Sequence, residues 1–348
     1  ISGSKDGTLR IWDIRTGQEL HCLEDELYEM VEVGINAVAI TPDEKRVLSG
    51  SYGGICIWNL ETKSVQAYDE GHLGAVITAI AISADGRYAV SAGDDWAIVL
   101  WDLSTCMPIA RWEIPFKLPE EDAEKEGCYA KSVAIFPDRY VVVAGCQDWR
   151  LRFWNLLTGR QTTKEEHLSP IESVVISPDG NTVLSVSSET LAIWRKTRSG
   201  QIRYVDYLTI DSIDDLDGID GDIWAIAISP DGGYAILGGA GKSIPIFDLT
   251  KREKVYKLQG QAENVRSVAI SVDGRFVVAG NSDATISIWA LDWDYDFPDP
   301  ADWDEGARPY LDIFLTLHTP YGPDGLSRVG KPQWTEEDFQ KLLQELGY

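Results

Sequence analysis

A chain of 348 residues, 44% of them hydrophobic, has enough apolar material for a globular core and enough length for one large all-β domain or two average ones. No apolar run nears the roughly 20 residues of a membrane span and no basic n-region leads the chain, so a soluble product with no membrane partner is expected. A formal charge of −25 opposes nucleic-acid binding, which needs clustered Lys and Arg.

The first element, ISGSKDGTLRIWDI from Ile1, reads as strand, turn and strand ending on Trp-Asp. Six comparable segments follow, including VSAGDDWAIVLWDL at Val90–Leu103 and VAGNSDATISIWAL at Val278–Leu291. Their aromatic residues Trp12, Trp58, Trp101, Trp154, Trp194, Phe247 and Trp289 fall at spacings of 46, 43, 53, 40, 53 and 42, which defines seven units. Within a unit come an alternating strand such as ITAIAIS (Ile77–Ser83), a turn such as SPDG, SADG or SVDG, a strand such as RYAVSAG, a tight turn, and AIVLWDL. Period-2 alternation broken by Gly and Asp specifies antiparallel strands, with turn-prone residues where the chain must reverse. The first unit lacks the strand that opens the others, and the seventh lacks a clear outer strand. Roughly 20 to 30 further residues are therefore expected upstream, as part of a larger protein.

Three connections between units are long. Glu24–Glu32, Pro115–Ala130 and Asp211–Asp222 carry 5, 5 and 6 acidic residues against two bases, Lys117 and Lys125. In the last of them Asp215, Asp217 and Asp220 surround Gly218 as in a calcium loop. The run departs from the EF-hand spacing and lacks its closing Glu, so calcium is not expected there. After Leu291 the repeat stops and Asp292–Gly306 adds 7 acidic residues without a base. A helix is expected from Pro309 through Leu311, Phe314 and Leu315. A second has Thr335 as its N-cap, Phe339, Leu342, Leu343 and Leu346 on one face, and Gly347 at its end. The domains are read as 1–291 for the repeats and 292–348 for an acidic, aromatic linker plus helices docked on them.

The repeated ending resembles the signature of the WD-repeat (WD40) β-propellers, over about Ile1–Leu291. It stands as Trp12-Asp13 and Trp101-Asp102, softens to Trp58-Asn59, Trp154-Asn155 and Phe247-Asp248, and is lost at Trp194-Arg195 and Trp289-Ala290. The resemblance implies an all-β, seven-bladed β-propeller of four-stranded antiparallel blades, the first blade incomplete, with a small C-terminal helical extension. Four strands of about 40 residues cannot bury both sheet faces alone, and radial packing of blades does so. The tail is similar to those ending bacterial multidomain signalling proteins of the NTPase or kinase type. A noncatalytic sensor or interaction module of such a protein is therefore expected, with a freestanding assembly scaffold as the alternative and a propeller hydrolase or lyase as the second.

His72, Ser91, Asp95 and Trp101 invite a hydrolase reading by residue type. The resemblance makes them a structural tetrad that ties the strands of a blade together. Pieces of it recur as Ser2, Asp6 and Trp12 and as His167, Ser185 and Trp194, with Asp148 and Asp283 at the turn position, whereas a catalytic site would be singular. No G-x-S-x-G elbow or phosphate loop appears, and His21, His72, His167 and His318 lack metal-ligand spacing. Cys22, Cys56, Cys106, Cys128 and Cys146 are scattered without a C-x-x-C pair, supporting neither a disulfide framework nor a zinc site and fitting a reducing cytoplasm. No catalytic residue, metal or cofactor is expected.

In an antiparallel meander the outer-to-inner connection and the turn before the Trp strand share one face, so the acidic insertions should lie together. Glu120, Glu121, Asp214, Asp215 and Asp217 represent them. Trp96 and Trp149 occupy that turn in neighbouring units where the first has Gly7. At the second residue of each inner strand, near the channel mouth by the resemblance, stand Asn36, Thr78, Lys131, Glu172, Trp224 and Arg266. These residues form the expected partner-binding face, suited to a basic protein segment or another domain of the same polypeptide.

Overall fold

Each repeat reverses direction because its turns carry their own hydrogen-bond acceptors. In the SADG turn the Ser83 hydroxyl donates to Asp85 at 2.6 Å and accepts the Tyr88 amide at 3.0 Å, while Asp85 accepts the Arg87 amide at 3.1 Å. Gly86 completes the turn at φ 67°, left-handed backbone that glycine adopts without strain. The same hydroxyl–carboxylate pairing recurs at Thr41–Asp43, Ser177–Asp179, Ser229–Asp231 and Ser271–Asp273. A second turn follows the Trp strand in blades 1, 2, 3, 4 and 6; in blade 3 Asp102 accepts the Ser104 amide at 2.8 Å. Asn59 accepts the amides of Glu61 and Thr62, both at 2.9 Å, and Asn155 those of Leu157 and Thr158 at 3.0 and 2.9 Å. One side-chain carbonyl oxygen is all this turn needs, so Trp-Asp softens to Trp-Asn without losing it.

The computed structural model describes residues 1–24, 34–114, 128–137, 141–164, 167–197, 202–209, 222–260 and 263–291, apart from 53, 70, 73 and 189. Among these, seven small antiparallel sheets form a seven-bladed propeller. Blades 2 to 6 have four strands each, in chain order across the sheet. Blade 3 is typical, with Ile77–Ile82 innermost, then Tyr88–Gly93, Ala97–Asp102 and outermost Met107–Glu113. Blade 1 shows Ser2–Gly3, Leu9–Trp12 and Glu19–Leu23, with Ser2–Gly3 in the second-strand position. Blade 7 shows Val265–Ile270, Phe276–Asn281 and Ile286–Ala290. The helices expected within 292–348 lie outside the described residues.

The core sits between blades. Val90, Ile98 and Leu100 of blade 3 pack with Val133, Val142 and Trp154 of blade 4, and Phe136, Val143 and Phe153 of blade 4 with Ile171, Val174 and Trp194 of blade 5. Trp58, Trp101, Trp154 and Trp194 are each below 2% exposed. At ~25 cal/mol per Å², a ring burying about 200 Å² contributes about 5 kcal/mol. Neighbouring sheets meet closely at the glycine near the end of the second strand: a Cβ on Gly50 would lie 2.4 Å from Ile77 Cγ2, and one on Gly145 2.4 Å from Ile171 Cγ2. The glycine is thus a packing requirement, because the next blade's first inner residue rests on bare backbone.

Candidate functional site

A cavity of about 640 Å³ lies between the inner strands, and Asn36, Thr78, Lys131, Glu172, Trp224 and Arg266 all line it. Their convergence has a backbone cause. Ile77 pairs with Gly93 and Ala79 with Ala92, so Thr78 is the extra residue of a β-bulge, and the same shift isolates Lys131, Glu172, Trp224 and Arg266. A bulge re-aims its extra side chain, here into the channel. Asn36 differs from expectation: the strand begins at Ala37, and Asn36 precedes it, donating its amide to the Gly50 carbonyl at 2.9 Å.

These residues also brace neighbouring blades. Thr78 donates to the Ala130 carbonyl at 2.5 Å, Lys131 pairs with Glu172 at 2.6 Å, and the Arg266 guanidinium stacks 4.1 Å from the centre of the Trp224 ring. Arg266 Nε also donates to Ser282 at 3.0 Å. The mouth is a cross-linked rim, and its side chains do double duty as inter-blade ties.

Trp96 and Trp149 stand at the turns before the third strands of blades 3 and 4, 49% and 38% exposed. Their φ angles are 60° and 69°, left-handed backbone that Gly7 (80°) occupies in blade 1 and Ala284 (64°) in blade 7. A bulky residue there costs ~1–2 kcal/mol. The register places these turns at the end where inner strands begin, with Ile77 opposite Gly93 and Ala130 opposite Cys146. The outer strands leading into the insertions finish at the same edge: Leu23 opposite Leu9, Glu113 opposite Ala97, Thr209 opposite Thr190. Both tryptophans, the channel mouth and the strand ends that flank all three insertions therefore share one face. Glu120, Glu121, Asp214, Asp215 and Asp217 themselves, with the calcium-like run, lie outside the described residues.

The hydrolase-like residues form one hydrogen-bonded chain through blade 3. The Trp101 indole donates to Ser91 Oγ at 2.8 Å, Ser91 Oγ meets His72 Nε2 at 2.7 Å, and His72 Nδ1 meets Asp95 at 2.9 Å. Burial pushes the Asp95 carboxyl upward, but hydrogen bonds from His72 and from Arg111, at 2.7 Å, outweigh it and hold the group below the usual carboxylate range. His72 and Ser91 are fully buried, so no nucleophile faces solvent. A Cβ on Gly71 would lie 2.6 Å from the Trp101 ring, which explains the glycine before the histidine. Blade 5 repeats the chain, with no carboxylate joined to it among the described residues: Trp194 donates to Ser185 at 2.8 Å and Ser185 meets His167 at 2.7 Å. Burial alone pushes the His167 imidazole down to about 4. Blades 1 and 2 keep the indole–serine bond, Trp12 to Ser2 at 2.8 Å and Trp58 to Ser49 at 2.7 Å. Asp6 instead accepts from Thr8 and pairs with Arg10, and Asp283 accepts from Thr285.

One cluster was missed by sequence reasoning. Cys128 and Cys146, 4% and 0% exposed, bring their sulfurs and an Asp148 oxygen within 4.8 Å of one another, and buried Arg152 pairs with Asp148 at 2.6 Å. The signal available was faint: a Gly-Cys pair, Gly127-Cys128, precedes the inner strand of blade 4 as Gly71-His72 precedes that of blade 3, but three residues nearer the strand.

A WD domain, G-beta repeat model matches residues 1–13, 27–59, 63–102, 159–195 and 252–290. The protein is a WD40-repeat β-propeller. The Trp strands of blades 4 and 6 fall outside those matches, and they are the ones carrying Arg152 and Pro245. Autophagy-related protein 16 of Arabidopsis thaliana is 24% identical over 270 residues, 76% of this chain and 48% of that protein. The target of rapamycin complex subunit wat1 of Schizosaccharomyces pombe is 22% identical over 202 residues, 56% of this chain and 58% of its own. The serine-threonine kinase receptor-associated protein of Gallus gallus is 25% identical over 228 residues, 56% and 63% of the two chains. The chain thus spans about half to under two thirds of the length of these relatives. All three are eukaryotic, and the expected likeness to bacterial multidomain signalling proteins finds no support among them. WD40 propellers typically serve as protein-interaction scaffolds and are generally noncatalytic. No helix among the described residues is long and apolar enough to cross a membrane.

Proposed function

We propose that this propeller is a noncatalytic scaffold that holds a partner protein through a basic segment laid on the strand-end face. The observation that carries the reading is the pair of half-exposed tryptophans, Trp96 and Trp149, kept at left-handed turns where blade 1 has Gly7 and blade 7 Ala284. The solvent-facing part of each ring is apolar surface beside the channel mouth, of the kind that anchors a partner when covered. The acidic sequence of the insertions that spring from this face adds attraction for cationic segments and raises their association rate. A scaffold is preferred to the sensor module expected from the sequence because two relatives are named for their place in assemblies, as a complex subunit and as a receptor-associated protein.

The test is a fluorescence-anisotropy titration with a Lys/Arg-rich peptide of about 15 residues and the same peptide with glutamine at every Lys and Arg. Binding of the basic peptide alone is expected, weakening as salt shortens the screening length. It should fall about tenfold or more in the Trp96→Ala, Trp149→Ala double variant at unchanged melting temperature. Equal binding of both peptides, or a melting temperature that falls with affinity, would overturn the proposal.

A further inference from the structure

Blade 4 keeps the carboxylate and the indole of the His72 network, as Asp148 and Trp154, and changes what lies between them. By strand register Ala144 stands where blade 3 has Ser91, Cys146 where it has Gly93 and Arg152 where it has Val99, and the residue ahead of the inner strand that reaches this place is Cys128 rather than a histidine. In blade 3 a Cβ on Gly93 would lie 2.6 Å from His72 Nδ1, so that glycine makes room for the imidazole. In blade 4 the room is divided between two short side chains. Cys146 projects from the second strand, Cys128 comes from just before the inner strand, and their thiols meet where one ring would lie.

The surroundings make the two thiols unequal. The hydrogen bond from Cys146 holds the Cys128 thiol below its ordinary value, with help from the Arg152 guanidinium and against burial, whereas burial pushes Cys146 up. A lowered thiol beside a guanidinium is the nucleophilic member of such a pair, and its neighbour is the resolving one. A metal fits less well. The Asp148 oxygens are both taken by Arg152, which leaves two thiols where a closed zinc site needs four ligands, and a fixed cation stands beside them.

We infer that Cys128 and Cys146 are an oxidation site, at which a peroxide converts the pair to a disulfide. The Cys128 thiol gives up its proton, the thiolate attacks a peroxide oxygen, the O–O bond breaks, and the departing hydroxide takes up that proton, so that a sulfenic acid and one water result. The Cys146 sulfur then attacks the sulfenic sulfur, the S–O bond breaks, and a second water leaves with the thiol proton. In sum two thiols give up two electrons and two protons, and hydrogen peroxide is reduced to two waters. The new bond would tie the end of the Pro115–Ala130 insertion to the second strand of blade 4. It would lie beneath the turn whose Trp149 amide donates to the Cys146 carbonyl at 3.2 Å.

The test treats the reduced protein with hydrogen peroxide, blocks remaining thiols with N-ethylmaleimide under denaturing conditions, and maps the cysteines by peptide mass spectrometry. A Cys128–Cys146 cross-linked peptide, 2 Da lighter than the sum of its parts and removed by dithiothreitol, is the expected product. Cys22 is exposed and serves as an internal reference, oxidised without joining a cross-link. In Cys146→Ser the sulfenic acid at Cys128 should persist and its dimedone labelling rise several-fold. The wild-type map decides the matter should that variant not fold. The inference is overturned if both thiols remain alkylatable once Cys22 is oxidised, if each is oxidised separately to sulfinic acid, or if the purified protein holds zinc stoichiometrically at the pair.

Discussion

Acidification should unfold this propeller partly through one histidine. His167 is 8% exposed, meets Ser185 at 2.7 Å, and has its imidazole pushed from 6.5 to about 4 by burial. Unlike His72, it has no carboxylate ion-paired to it among the described residues. The unfolded chain takes up a proton at this group near pH 6.5, while the folded chain resists until about pH 4. Between those values the unfolded state holds more protons, so stability rises with pH and is lost on going down through the window. Each pKa unit is worth ~1.4 kcal/mol, so lowering the pH from 7 to 4.5 should remove about 2–3 kcal/mol through His167 alone. The measurement is urea denaturation of the wild type and His167→Gln at a series of pH values. Carboxylates and the other histidines titrate in both proteins and cancel in the difference. At pH 7 the variant should be less stable by about 1–3 kcal/mol, having disturbed the Ser185 hydrogen bond. By pH 4.5 that gap should close or invert. A gap that stays constant across the range would refute the assignment of a neutral, buried His167.

Other outcomes follow from particular contacts. Ser91→Ala leaves the Trp101 indole and His72 Nε2 without their shared partner, and should cost about 1–3 kcal/mol for each orphaned group, read by chemical denaturation. Gly50→Ala drives a methyl to 2.4 Å from Ile77 Cγ2, with an expected loss of about 1–3 kcal/mol, whereas Gly17→Ala meets nothing within 4 Å and should show only the ~1 kcal/mol left-handed backbone cost. Trp149→Gly trades strain at φ 69° against greater freedom of the unfolded chain, so stability should change by less than about 1 kcal/mol while basic-peptide binding falls. A double-mutant cycle on Lys131 and Glu172, whose side chains are 23% and 20% exposed, should give a coupling of about 0.5–1 kcal/mol that weakens in high salt.

Much of the candidate site was legible as local chemistry. The positions of Trp96 and Trp149 follow from counting along a meander, and the serines that accept the indoles, Ser91 and Ser185, were expected from the family resemblance. The role of the mouth residues was only half legible. Variation at Thr78, Lys131 and Trp224 marked them as different from their apolar neighbours, but the bulge that turns them into the channel is a backbone event without a residue signature. The Cys128–Cys146 approach was hidden for a related reason, since spacing rules detect cysteines close in sequence and not cysteines brought face to face by strand pairing.

The sequence by itself determined the number of blades, the turns and the buried tryptophans, because each depends on groups within a strand or two of one another: a hydroxyl, a carboxylate, a glycine, an indole. Tertiary structure alone decided which side chains meet across blades. Lys131 and Glu172, Arg266 and Trp224, and Thr78 and the Ala130 carbonyl are partners only because bulged inner strands stand side by side around a common channel. That adjacency arises from packing whole sheets against one another, and no pattern within a single repeat encodes it.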